Sequence, residues 1–173
     1  MVTIDLRQDA DAVRAMLAEA VREYIAKHRE PTSAALHPPV TRIDVGYSLG
    51  DSESIPWIHL HFDTKPGAEP DGDPTHHGFA QLDRESWLPA VQAVCEEEKV
   101  SVVRWDGKRQ QCDAASLGEV IGQFLVSLLL EARDSGLFAT LPRAERCELG
   151  VEDPTTGEFG WPHYEERGQE NLV

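Results

Sequence analysis

"T-R-I-D-V-G-Y-S-L" from Thr41 to Leu49 and "W-I-H-L-H-F-D" from Trp57 to Asp63 decide the fold class. In the first, Ile43, Val45, Tyr47 and Leu49 share one parity, while Arg42, Asp44 and Ser48 share the other. In the second, Ile58, Leu60 and Phe62 alternate with His59, His61 and Asp63. Successive side chains on a strand point to opposite faces, so an apolar period of two marks a strand buried on one side. Gly50-Asp51-Ser52 supplies a turn between them, and the pair is expected to form a hairpin.

On the N-terminal side the period changes. Val13, Met16, Leu17, Ala20, Val21, Tyr24 and Ile25 recur at helical spacing, predicting a helix over about Asp9 to Arg29 that ends before Pro31 and Pro38-Pro39. On the C-terminal side, Gly78 to Leu82 reads as a short strand. Ser86 is placed to cap a helix running to about Glu98, with Pro89 tolerated in its first turn. Val100 to Trp105 and Lys108 to Cys112 flank an Asp106-Gly107 turn. Asp113 caps a helix that Gly136 stops, and its later half (Ile121, Phe124, Leu125, Val126, Leu128, Leu129, Leu130) is apolar nearly all round, as a buried helix is. Arg146 to Glu152 and Glu158 to Trp161 read as two further strands about a turn at Pro154 to Gly157. The expected class is α+β: a mostly antiparallel sheet of hairpins packed against about three helices. One domain is expected over 1–173, with a Pro/Gly/Asp loop at 64–77 and a polar C-terminal tail at 165–173.

Size and charge bound the function. A chain of 173 residues is one ordinary domain and buries roughly 70% of its unfolded surface. Its 40% hydrophobic and 27% charged residues suit a soluble globular protein. The formal net charge of −15 repels phosphate backbones and anionic membranes and attracts basic partners. No nucleic-acid or membrane binding is therefore expected. Carboxylates come too early at the start for a signal peptide, and the apolar run Phe124 to Leu130 is far shorter than the ~20 residues that span a bilayer. Three widely spaced cysteines, at 95, 112 and 147, fit reduced thiols and a cytoplasmic location, and exclude a paired-cysteine zinc site. There is no phosphate-binding glycine motif, so no nucleotide or other cofactor is expected.

Three places carry candidate chemistry. His59, His61 and Asp63 lie on one strand face at i, i+2 spacing, where imidazole and carboxylate ligands can reach one cation. Their spacing resembles the opening of H-x-H-x-D-H metallohydrolases, but the family's last histidine is Thr64 here. The competing reading is the solvated face of a strand whose other side is core, which period-two alternation favours. Cys95 and Cys112 are possible nucleophiles with no signature around them, and Glu96 to Glu98 read as a solvated helix end. Gly157 to Arg167, "GEFGWPHYEER", interleaves Phe159, Trp161 and Tyr164 with Glu158, Glu165 and Glu166. Aromatic anchors rimmed by carboxylates suit a cationic protein surface; the alternative is that Phe159 and Trp161 close the core. Residues 145–173 carry a net −6 and residues 51–73 a net −5, so the acidic excess is concentrated in two segments. Glu158, Trp161, Tyr164, Glu165 and Glu166 are the expected partner contacts, with no catalytic residue assigned.

The layout is similar to that of the small acidic immunity proteins of bacterial toxin systems. The parts that carry the resemblance are the N-terminal amphipathic helix, the strand run with Trp57, the buried helix at 117–133, and the C-terminal "LGVEDPTTGEFGWPHYEERGQENLV". It implies a non-enzymatic cytoplasmic protein that neutralises a basic partner such as a toxin through an acidic surface. A metal-dependent hydrolase using His59, His61 and Asp63 is the alternative, and a structural subunit of a larger assembly the second. The sequence assigns no oligomeric state.

Overall fold

The computed structural model describes residues 2–28, 39–49, 57–64, 77–152 and 164–167. Among them are eight strands and three α-helices: β1 (Thr3–Asp5), α1 (Leu6–His28), β2 (Val40–Ser48), β3 (Trp57–Asp63), β4 (His77–Gln81), α2 (Arg84–Cys95), β5 (Val100–Val103), β6 (Arg109–Cys112), α3 (Ala114–Asp134), β7 (Arg143–Val151) and β8 (Tyr164–Arg167). A single 3₁₀ turn at Leu137–Thr140 follows α3.

The class is α+β, but the strands form two sheets. One has the order β1-β5-β6 and the other β4-β3-β2-β7-β8. Two pairings are parallel, β1 with β5 and β2 with β7; the rest are antiparallel. The expected hairpin is present, with Asp44 opposite His61 and Gly46 opposite His59. Both parallel pairings join segments about a hundred residues apart, and no local turn signal announces such a pairing.

The inner face of the five-stranded sheet is the core. Ile43, Val45 and Tyr47 of β2, Ile58, Leu60 and Phe62 of β3, and Cys147, Leu149 and Val151 of β7 are all buried. Against them lie α1 and α3. The Tyr24 ring of α1 meets Phe62 edge-on at 5.0 Å. The Tyr47 hydroxyl donates to the Gly118 carbonyl of α3 at 2.7 Å, tying sheet to helix. Among the described residues α3 is the one helix long and apolar enough, by length and composition, to cross a membrane. Ten of its residues between Leu117 and Ala132 are buried within the domain.

Local signals explain most element ends. Asp113 accepts from the Ser116 amide at 2.9 Å and the Ser116 hydroxyl accepts from the Asp113 amide at 2.9 Å, a reciprocal cap that starts α3. Gly136 follows its end in the left-handed conformation, φ 78°. The Asp106-Gly107 turn forms as expected, with Gly107 at φ 82°. Other expectations need correction. Asp83, not Ser86, caps α2: its carboxylate accepts from the Ser86 amide and hydroxyl at 3.1 and 2.6 Å. Pro89 is thereby the sixth helical residue rather than a first-turn one. That helix stops at Cys95, where Glu97 takes a left-handed φ of 63° and the Glu98 amide returns to the Ala93 carbonyl at 2.8 Å. Of the expected loop at 64–77, residues 65–76 lie outside the described residues, and His77 belongs to β4 instead. The expected tail at 165–173 begins instead as β8, paired to β7. The expected turn at Pro154 to Gly157 and strand at Glu158 to Trp161 lie outside the described residues.

Candidate functional site: a histidine–carboxylate face on the five-stranded sheet

The outer parity of β2 and β3 carries Arg42, Asp44, Gly46, Trp57, His59, His61 and Asp63, and β7 adds Glu148 and Glu152. Register sets Asp63, Arg42 and Glu148 in one row across three strands, and His61 and Asp44 in the next. Glu165 of β8 pairs with Glu148 and continues the first row along the backbone. The Glu152 amide donates to the Val45 carbonyl at 2.9 Å, which carries β7 one step further beside β2.

This face is not the solvated strand surface that alternation predicts. The His59 and His61 side chains are only 16% and 24% exposed, and Asp44 is buried. Each imidazole meets a carboxylate of another strand: His59 Nε2 lies 3.5 Å from Glu152 Oε2, and His61 Nδ1 lies 3.5 Å from Asp44 Oδ2. Arg42 Nε lies 3.7 Å from Glu148 Oε2. The rings also follow one another along β3 in tilted contact. Trp57 and His59 have centroids 4.9 Å apart, and His59 and His61 4.5 Å apart. Trp57, at 37%, is the large exposed hydrophobic of the described residues.

Gly46 makes the arrangement possible. A Cβ built there would run into the His59 ring and touch Glu152 Oε2 at 3.0 Å. The missing side chain lets the imidazole lie across β2 to reach β7, a role for glycine where another group approaches the backbone closely. Gly46→Ala is expected to cost about 1–3 kcal/mol through overpacking. It should displace His59 from Glu152, read as a lowered denaturation midpoint and a moved His59 ring resonance. A variant as stable as the parent would mean that the ring has an equally good second seat.

The electrostatics follow from crowding. The Asp44 carboxylate beside His61 raises the imidazole above its ordinary pKa, against the effect of burial, and Glu152 and Asp63 add to the rise. Burial pushes the Glu152 carboxyl up; the Asp44 charge adds to this, and His61 and Arg42 oppose it. Among the described residues, Asp44, Asp63, Glu148 and Glu152 therefore share the face with the guanidiniums of Arg42 and Arg146 and the imidazoles of His59 and His61.

His59 and His61 are brought together as their spacing implies, but each turns to a carboxylate across the sheet rather than to a common point. Asp63 stands one row further, opposite Arg42. Among the described residues no group of three or more histidine, cysteine, aspartate or glutamate side chains is placed to hold a metal ion. Cys112 is buried, and its thiol is pushed up by burial; Cys95 is exposed. Glu96 to Glu98 are exposed at the end of α2. Of the expected partner contacts, Glu158 and Trp161 lie outside the described residues, while Tyr164, Glu165 and Glu166 form the strand paired with β7. Sequence reasoning missed Glu152 and Gly46. Their signal is the parallel β2–β7 register, which brings together residues over a hundred apart in the chain.

No family model, no curated protein and no solved structure matches this chain.

Proposed function

We propose that this chain is a non-enzymatic, cytoplasmic binding protein that docks a basic protein partner through the outer face of its five-stranded sheet, in the manner of a toxin-neutralising immunity protein. The observation that supports the reading is the partly exposed carboxylates on the outer face, Asp63 and Glu148 in one row and Glu152 at the end of β7, with the exposed Trp57 on the same side of the sheet. Opposed fields accelerate encounter and set orientation, while an aromatic anchor slows escape. No observation favours the hydrolase, because the imidazoles are paired to carboxylates and do not converge. Nor does any feature of the described residues point to an assembly subunit.

The test begins with capture of a partner from the native source, followed by its purification and kinetic measurement. Neutralising the face with Asp63→Asn, Glu148→Gln and Glu152→Gln together should slow association about tenfold or more at low salt, with a smaller effect near 0.5 M salt. Far-UV circular dichroism checks that the variant folds. A captured partner that is acidic, or whose association ignores both salt and the triple variant, would sink the proposal.

A further inference from the structure

The smaller sheet ends on β6, which has β5 as its one strand neighbour among the described residues. The opposite edge, β1, is three residues long and touches α2. Backbone groups of an antiparallel strand address a given neighbour only at every second residue. The Arg104 amide donates to the Lys108 carbonyl at 2.8 Å, so Lys108, Gln110 and Cys112 address β5, while Arg109 and Gln111 turn their amides and carbonyls outward. Ser101, opposite Gln111, fixes the same parity, because its amide donates to the Val2 carbonyl on the β1 side at 2.9 Å. Arg109 and Gln111 are exposed, the register with β5 runs without a bulge, and no proline interrupts the strand. Asp113 keeps an extended backbone, φ −88° and ψ −173°, which prolongs the edge by one residue. The start of α3 beyond it is Ala114-Ala115, exposed and small. An uncovered edge of this kind is a template for another strand.

We propose that two copies of this chain pair antiparallel through β6, about a twofold axis at Gln111, with Arg109 of each copy opposite Asp113 of the other. Charge complementarity names both the occupant and the register. Backbone parity allows symmetric pairing centred on Arg109, Gln110 or Gln111. The first sets two guanidiniums against each other, and the second sets Arg109 against Gln111. The third sets Arg109 against a carboxylate on the same sheet face, twice in each pair, and opposite charges directly across a strand pair favour it. Residues 106–113 carry Lys108 and Arg109 against Asp106 and Asp113, no net charge in a chain of −15. Two copies therefore meet along this edge without the repulsion that the acidic segments impose. The contact is isologous, so it closes as a pair and covers both edges at once. It lies on the other sheet from the histidine–carboxylate face and does not rest on the docking reading above.

The experiment is sedimentation velocity on the full chain from about 5 µM to about 1 mM. A contact at the small end of protein interfaces predicts a monomer–dimer equilibrium with a Kd on the order of 10–500 µM. Gln111→Pro removes the amide on the axis. Proline is tolerated at an edge position whose N–H faces solvent, so this variant should keep the far-UV spectrum of the parent and stay monomeric across the range. Arg109→Glu sets carboxylate against carboxylate and should raise Kd about tenfold or more. As a change at an exposed position, it decides the matter alone where Gln111→Pro fails to fold. A parent chain that is monomeric up to about 1 mM would leave the edge to a different strand and overturn the pairing. So would a dimer that either folded variant leaves unchanged, or a series of ever larger oligomers, which a closed twofold contact does not produce.

Discussion

Phe124→Ala lowers the stability of this protein by about 3–5 kcal/mol, the usual cost of emptying a buried aromatic site. Phe124 is 1% exposed in the middle of α3, with Ile121, Leu125 and Leu128 buried around it. Its ring stands 5.8 Å from Trp105, so truncation also removes an aromatic contact that links α3 to the β5–β6 hairpin. Whatever the total within the ordinary range of roughly 5–15 kcal/mol, a loss of that size takes a large fraction of it. Urea denaturation followed by far-UV circular dichroism measures it, and a midpoint unchanged from the parent would show that α3 is not the central core helix. Phe124→Leu provides a gentler companion. It keeps most of the volume and should lose less than half as much, which separates cavity formation from general misfolding.

That α3 is the core helix was legible from its residues alone, because a helix apolar nearly all round has no wet side to present. The β2–β3 pairing was legible for a similar reason: alternation fixes which residues of each strand face inward, and that sets their register. β1 was not, since three residues are too few to show a period and its partner β5 lies about a hundred residues away. The polar parity of β3 was the instructive failure. Alternation separates two faces but does not reveal what covers the second. Here β2 contributes Asp44 and a bare Gly46, and the residue just past β7 contributes Glu152, so each histidine meets a carboxylate, one of them distant in sequence. The candidate site was half visible as His59, His61 and Asp63. The carboxylates that give it its chemistry come from pairings that no local pattern encodes.

The buried Asp9–Trp87 contact gives the other large effect and a pH signature with it. Asp9, in the first turn of α1, is 4% exposed, and Trp87 of α2 is fully buried. The Trp87 indole N–H donates to Asp9 Oδ2 at 3.0 Å, and the Asp83 amide donates to Oδ1 at 3.4 Å. Burial raises the Asp9 carboxyl above its ordinary value, while the Trp87 and Asp83 hydrogen bonds hold it down and the charges of Asp83 and Asp5 push it further up. A raised folded-state pKa means that the folded protein holds this proton after the unfolded chain has released it. The contribution of Asp9 is therefore fully present below its unfolded value of 3.8 and is lost as pH rises through the folded value. Trp87→Ala should cost about 3–5 kcal/mol in lost burial alone. Trp87→Phe keeps most of the apolar area but removes the donor, and should cost about 1–3 kcal/mol at neutral pH by leaving the carboxylate undersatisfied. Its folded-state pKa then climbs further, so the difference between Trp87→Phe and the parent should grow between pH 4 and pH 8. Adding Asp9→Asn to Trp87→Phe should flatten that growth, because no charge remains to be buried. Denaturation midpoints of the parent, the single variant and the double variant at both pH values decide it. A Trp87→Phe penalty identical at pH 4 and pH 8 would show that the indole packs against α1 without answering the Asp9 charge.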